Sequence, residues 1–170
     1  MKFLLSIMVL LYAIKASAQM DTVSTTHFSI EGRVKEKVDF DITKIQSYST
    51  KTIDSVVILN HLKQRKHAIK NITGILLKDV LNKAVIDAEN PKALSEYYIE
   101  CIATDNYKIV FSWNELFNTE TGNNVLIITE KDGKSDVGSD DGIAIITSTD
   151  FATGRRYLKN LKQVLIKRVN

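Results

Sequence analysis

Between Asp140 and Val169 the chain carries two apolar segments that confine it to folds containing a sheet. Ile143 to Thr147 is continuously apolar until its last residue, the pattern of a buried strand, whereas Leu161 to Val169 alternates as a strand does along one face. Between them lie Gly154, the adjacent arginines Arg155 and Arg156, and Lys159. A loop of this composition is compatible with an anion held between guanidinium and ammonium groups. It is equally compatible with a solvated corner, because exposed charge is the default for Lys and Arg.

The start of the chain has a different character. Met1-Lys2 forms a short positive region, Phe3 to Ile14 is apolar apart from Ser6, and Ala16-Ser17-Ala18 has the small-x-small form of a cleavage site. This predicts a signal peptide over 1–18 and an exported protein, periplasmic, cell-surface or secreted, whose mature chain begins at Gln19. No later apolar run approaches the roughly 20 residues that a membrane-crossing helix needs, so no transmembrane segment is expected after cleavage. Loss of Lys2 and Lys15 leaves 21 basic against 20 acidic residues, a formal +1. That balance is close to neutral, so the modestly basic whole-chain pI says little about nucleic acid or anionic membrane, and no nucleic-acid partner is expected. Cys101 is the only cysteine, so packing rather than an intramolecular disulfide must stabilise the domain.

Residues 19–26 are polar and read as a flexible lead-in, leaving 27–170 as one domain. His27 to Val34 predicts a strand with a bend at Gly32, Phe40 to Ile45 a helical turn, and Ile53 to Leu59 a β-branched strand. Asn60 to His67 is then a basic connection. Leu77, Val80, Leu81, Ala84 and Val85 form the stripe of a helix lying on a core. Tyr97 to Ala103 and Tyr107 to Ser112 read as a hairpin, with Cys101 on the buried face, and Ser112 to Glu115 as the capping box of a short helix. Val125 to Thr129 is a further strand, and 131–142, rich in Asp, Gly and Ser, a loop. Short strands interleaved with a few short helices predict an α+β domain with mixed or antiparallel sheets.

Four stretches, in order, resemble the molybdopterin-binding domain of sulfite-oxidase-like oxidoreductases. Phe28 to Val34 is similar to that family's opening strand with its Gly-x-Val. Thr73-Gly-Ile-Leu-Leu-Lys-Asp-Val-Leu81 is similar to its "W-x-G-V-x-L-x-D-L-L" helix entry, and Ala103 to Ser112 to its "D-G-Y" hairpin. Asp141 to Ile146, followed by Gly154-Arg-Arg-Tyr-Leu-Lys-Asn-Leu161, is similar to its closing "G-P-x-R-L-V-x-P…G-x-R-x-V-K-W-L" segment. The likeness covers nearly the whole mature chain, and it implies the same fold.

The resemblance departs at the cofactor. The family's metal is held by a Cys thiolate after the strand matched by Ile53 to Leu59, and residues 60–67 contain no Cys. Molybdenum in this chemistry needs a thiolate that imidazole or amine does not imitate. Asp141 stands at the family's His and Ile146 at an Arg, while Arg156 and Lys159 are retained. The resemblance thus implies a scaffold kept and a redox centre lost: no bound cofactor, and no functional molybdenum oxidoreductase. The expected function is a binding module for a small anion or a protein partner. Arg156 and Lys159 are its candidate contacts, supported by Arg65 and Lys66. The alternatives are an oxidoreductase subunit that holds molybdopterin at an atypical site, and a structural accessory domain of a cell-surface assembly.

Other chemistry finds less footing. His61 and His67 lack a third ligand at zinc spacing, and the acidic residues Asp132, Asp136, Asp140 and Asp141 lack calcium-loop spacing. No hydrolase triad motif is recognisable. Asn71-Ile-Thr73 matches a glycosylation sequon.

Overall fold

In the computed structural model, residues 24–135 and 139–170 are described. The expected leader, residues 19–23 of the lead-in and Asp136 lie outside them. Two sheets carry the architecture. The first has the order β2 (Val38–Asp41), β1 (His27–Gly32), β10 (Leu161–Arg168), β5 (Tyr97–Ala103), β6 (Lys108–Ser112). It is mixed, because β10 runs parallel to β1 and antiparallel to β5. The second is antiparallel, ordered β3 (Lys51–Leu59), β4 (Arg65–Leu76), β7 (Val125–Lys131), with β8 (Lys134–Ser135) and β9 (Ala144–Thr147) both on β7. Among the described residues, three α-helices of five residues each, α1 (Ile42–Gln46), α2 (Leu77–Leu81) and α3 (Trp113–Phe117), accompany the sheets with three short 3-10 turns. The domain is therefore mostly β, with one mixed and one antiparallel sheet and few short helices. No helix among the described residues is long and apolar enough to cross a membrane.

Side-chain alternation explains how the sheets pack. Along the first sheet Phe28, Ile30, Ile99, Cys101, Ile109, Phe111, Val164 and Ile166 all turn to one core. The opposite face carries charge, with Glu100 bonded to Lys167 and to Lys108 across neighbouring strands. Phe28 and Phe40, partners in the β1–β2 register, stack with centroids 5.2 Å apart and ring planes 10° apart. In β7, Val125 and Ile127 join this core, whereas Leu126 and Ile128 join a second one. Ile145 and Ile146 divide in the same way in β9. Burial on both faces is why these two strands read as continuous apolar runs.

The second core is closed by Val56 and Ile58 of β3 and Ile69 and Ile72 of β4. Ile69 and Ile72 lie three apart, which period-two alternation would send to opposite faces. Asn71 between them has φ 47°, and this left-handed residue resets the alternation. Gly32 ends β1 at φ 94°, where a Cβ would sit 2.3 Å from the Ile166 carbonyl oxygen, so the bend predicted there has a steric cause.

Several sequence expectations change, the loop expected over 131–142 among them, since it opens with Lys131 of β7 and holds β8. Phe40 belongs to strand β2, and the helical turn starts after it, with Asp41 capping Lys44 N–H at 2.8 Å. The helix expected to reach Val85 stops at Leu81. The next residues are drawn away to the β1–β2 connection: Lys35 N–H donates to the Val85 carbonyl, Asp87 N–H to Arg33, and Val34 pairs with Ile86. The basic connection after Leu59 shortens to a turn over 60–64, because Arg65, Lys66 and His67 already belong to β4.

Candidate functional site

The 60–64 turn is held by Asn60. Its Oδ1 accepts from the backbone N–H groups of Leu62 and Gln64, both at 2.9 Å, and its own N–H donates to the Gln64 carbonyl at 3.0 Å. Lys63 takes the left-handed conformation that closes the turn. A second turn, the 3-10 segment Thr153–Arg156, docks against the end of β3. Thr153 fixes it: the buried hydroxyl donates to the Val57 carbonyl at 2.6 Å and accepts from Leu59 N–H at 2.9 Å. A Cβ on Gly154 would lie 2.7 Å from the Leu59 carbonyl oxygen, so only glycine permits this approach. The Tyr107 hydroxyl donates to the Arg155 carbonyl at 2.6 Å and ties the β5–β6 hairpin to the same turn.

These contacts enclose a groove of about 440 Å³. Its apolar floor comes from Ile58, Leu59, Tyr107 and Gly154, and its rim carries His61, Lys66 and Arg155. No carboxylate among the described residues lines it. Among the described residues His61, Lys63, Arg65, Lys66 and Arg155 form no ion pair, in contrast with Lys131, Arg156, Lys159, Lys167 and Arg168. A larger hollow of about 660 Å³ between the ends of α1 and α2 mixes Lys44 and Lys83 with Asp79, and these lysines lie over the rings of Phe40 and Tyr48. Its mixed charge makes it the weaker anion site.

The four residues singled out in the sequence separate. Lys66 lines the groove. Arg65 is exposed on the neighbouring position of β4, outside the groove lining. Arg156 turns away from the groove rim. Its Nε and Nη2 donate to the two oxygens of Asp150 at 2.7 and 2.5 Å, and Nη1 donates to Glu115 Oε1 at 2.6 Å. The guanidinium also lies 4.6 Å from the Phe111 ring centroid. Two carboxylates around one cation leave a local excess of negative charge, which disfavours an added anion. Lys159 pairs with Asp141 at 2.6 Å, and Lys131 and the Tyr157 hydroxyl reach the same carboxylate. The basic neighbour that joins Lys66 is Arg155, and Tyr107 and Gly154 complete the wall. Local pattern marks Tyr107 only as an aromatic in a hairpin, so its place here is a tertiary outcome.

Asp141 is shielded by these partners. Burial alone would raise its pKa, yet the hydrogen bonds from Lys131, Lys159 and Tyr157 outweigh burial and hold it at about 2, against an ordinary 3.8. A depressed carboxylate pKa means that the stabilisation is present above the unfolded value and lost as pH falls from about 4 towards 2. Asp141→Asn should therefore flatten the dependence of the urea midpoint on pH across that window. At neutral pH it should cost on the order of 1 kcal/mol, a figure reduced because Lys159 is half exposed. An unchanged pH profile in the variant would remove Asp141 from this role.

Cys101 is fully enclosed in β5, opposite Val164 and Ile109 in the strand registers, and burial followed by the nearby Glu100 carboxylate pushes its thiol pKa up. It therefore offers no thiolate to a cofactor, and the segment where the resemblance expects a ligand Cys is the tight 60–64 turn. The donor set of the described residues does not fit a molybdenum centre anchored through sulfur. No group of three or more His, Cys, Asp or Glu among the described residues is placed to hold a metal ion.

No family model and no curated protein matches this chain. Among solved structures, the sulfane dehydrogenase SoxCD from Paracoccus pantotrophus superposes with a TM-score of 0.63 at 13% identity. The two folds are related. The match covers 84% of this chain and 39% of the SoxCD chain, so the protein spans well under half of that neighbour's length. At this identity the similarity speaks for architecture alone, and it agrees with the fold that the four sequence stretches imply.

Proposed function

We propose that this protein is an exported binding module on a fold related to the sulfite-oxidase-like molybdenum enzymes, working without molybdenum and holding an anionic ligand in the groove between the 60–64 and 153–156 turns. The observation that carries this reading is the set of cations without carboxylate partners, Lys66 and Arg155 with His61 beside them, gathered over an apolar floor. Their charge is available to a ligand because no carboxylate of the described residues pairs with it. Binding is electrostatic, and the fixed 153–156 turn presents the guanidinium without large reorganisation. The enclosed Cys101 supports the absence of a molybdenum centre. An oxidoreductase subunit remains the second reading, favoured by the related fold, and it would need a metal donor other than sulfur.

Inorganic phosphate is the direct probe, followed by backbone NMR shifts or calorimetry. Wild-type protein should bind it saturably, on the order of millimolar, with shifts confined to 58–66, 107 and 153–156. Lys66→Ala combined with Arg155→Ala should weaken binding about ten-fold or more, and added sodium chloride should weaken it in the wild type. Lys159→Ala should change the affinity less than about two-fold, because its charge is directed at Asp141. Shifts centred on Lys159 instead would sink the groove as the anion site.

A further inference from the structure

The groove has a second property that a small anion does not use. Leu62, 63% exposed, projects from the 60–64 turn, and Phe151, 87% exposed, stands two residues before the 153–156 segment. The turns are close enough for Lys63 Nζ to stand 6.0 Å from the Phe151 ring centroid. One exposed apolar side chain is ordinary on a protein surface, but two beside an apolar groove ringed by unpaired cations form a composite surface. We infer that this surface docks an acidic protein segment that carries an apolar anchor side chain, an inference that rests on the anion-binding reading of the groove.

Three features select that occupant. Charge complementarity requires a negative partner, since Lys63, Lys66 and Arg155 have no carboxylate among the described residues and the groove lining contains none. The floor of Ile58, Leu59 and Tyr107 can cover an apolar side chain, which free phosphate lacks. The floor is also rigid. Thr153 bonds both Val57 and Leu59, and Tyr107 bonds Arg155, so docking an anchor requires little ordering of the pocket. A concave site that takes one anchor, flanked by exposed aromatic and aliphatic side chains, is the arrangement in which interface energy concentrates. A flat anionic bilayer would cover Phe151 and Leu62 yet leave the hollow unfilled, so a lipid surface accounts for less of the geometry.

The test uses two labelled acidic pentapeptides, four Glu residues around a central Phe or a central Ala, measured by fluorescence anisotropy. Inorganic phosphate and vesicles of phosphatidylglycerol and phosphatidylcholine are measured alongside. Wild-type protein should bind the Phe peptide about ten-fold more tightly than the Ala peptide. Leu62→Ala with Phe151→Ala, which leaves the floor of Ile58, Leu59 and Tyr107 intact, should shrink that difference to about three-fold and leave the phosphate affinity unchanged, since both side chains are exposed and neither is a cation. Lys66→Ala with Arg155→Ala should weaken both peptides. No preference for the Phe peptide, or a preference that Leu62→Ala with Phe151→Ala leaves undiminished, overturns the docking inference. So does binding to vesicles that this variant abolishes while the peptides remain indistinguishable. Phosphate binding without a Phe preference defeats the docking inference alone. A Phe preference without phosphate binding defeats the anion reading, and with it the charge basis of the docking site.

Discussion

Arg156→Ala should lower stability by about 3 kcal/mol and leave phosphate affinity in the groove almost unchanged. For a domain of this size that is a fall of roughly 6–12 °C in Tm. The reason lies in what remains after truncation. Asp150 and Glu115 are both more than two-thirds buried at the side chain, and the substitution leaves their charges facing each other without the cation that separates them. It also removes the guanidinium from the Phe111 ring and the link between α3 and the 153–156 turn. Removal of one partner from a buried pair costs more than the pair itself contributes, because the survivor keeps its desolvation penalty. Partial exposure places the expected cost at the lower end of that range. Arg156→Lys should recover only part of the loss, since one ammonium cannot reproduce the two-pronged contact with Asp150. Thermal denaturation and phosphate titration on the same samples separate the roles. A variant that is as stable as wild type but no longer binds phosphate would make Arg156 a ligand contact.

Arg156 also marks the limit of what the sequence conveys. Two adjacent arginines are identical in local pattern, and which one is neutralised depends on Glu115, brought in from another element, and on Asp150. Asp141 follows the same logic: in the sequence it is a negative charge in an acidic stretch, and in the fold it is enclosed by Lys131, Lys159 and Tyr157. Where local chemistry dominates, the reading transfers well. The Ser112 cap accepts from Glu115 N–H at 3.0 Å, the shared face of Tyr97, Ile99, Cys101 and Ala103 is buried, and β10 alternates from Val164 to Ile166, after an irregularity that puts buried Leu161 three residues before Val164. Strand β4 was less legible because Arg65, Lys66, His67, Lys70 and Asn71 occupy exposed positions and the turn of the backbone at Asn71 breaks the period of two. Its pairing with β3 and β7 comes from backbone hydrogen bonds that polar side chains do not advertise. Ser24 and Thr25, at the end of the expected lead-in, are likewise tied down by distant groups: Ser24 donates to the Ser139 carbonyl, and Thr25 N–H to the Asn160 side chain.

Gly154→Ala should couple stability to binding, which Arg156→Ala should not. The new methyl would meet the Leu59 carbonyl oxygen at 2.7 Å and Ile58 Cγ2 at 3.4 Å, and a backbone carbonyl within a paired strand cannot swing aside as a side chain can. The 153–156 turn must therefore lift from β3. That movement breaks or stretches both hydrogen bonds of the buried Thr153 hydroxyl, each worth about 1 kcal/mol, and risks leaving Leu59 N–H and the Val57 carbonyl unpaired. The expected loss is about 2–3 kcal/mol. Phosphate binding should weaken at the same time, because Lys66 and Arg155 stand on opposite sides of the seam that opens. Thr153→Val separates the two causes: it removes the hydroxyl without adding bulk at Gly154, and should cost about 2 kcal/mol with a smaller loss of phosphate affinity. Thr153→Ser, which keeps both hydrogen bonds, should stay close to wild type in both measurements. Were Gly154→Ala destabilised yet unaltered in phosphate affinity, the two turns would not be walls of a common anion site, and the cations on them would act separately.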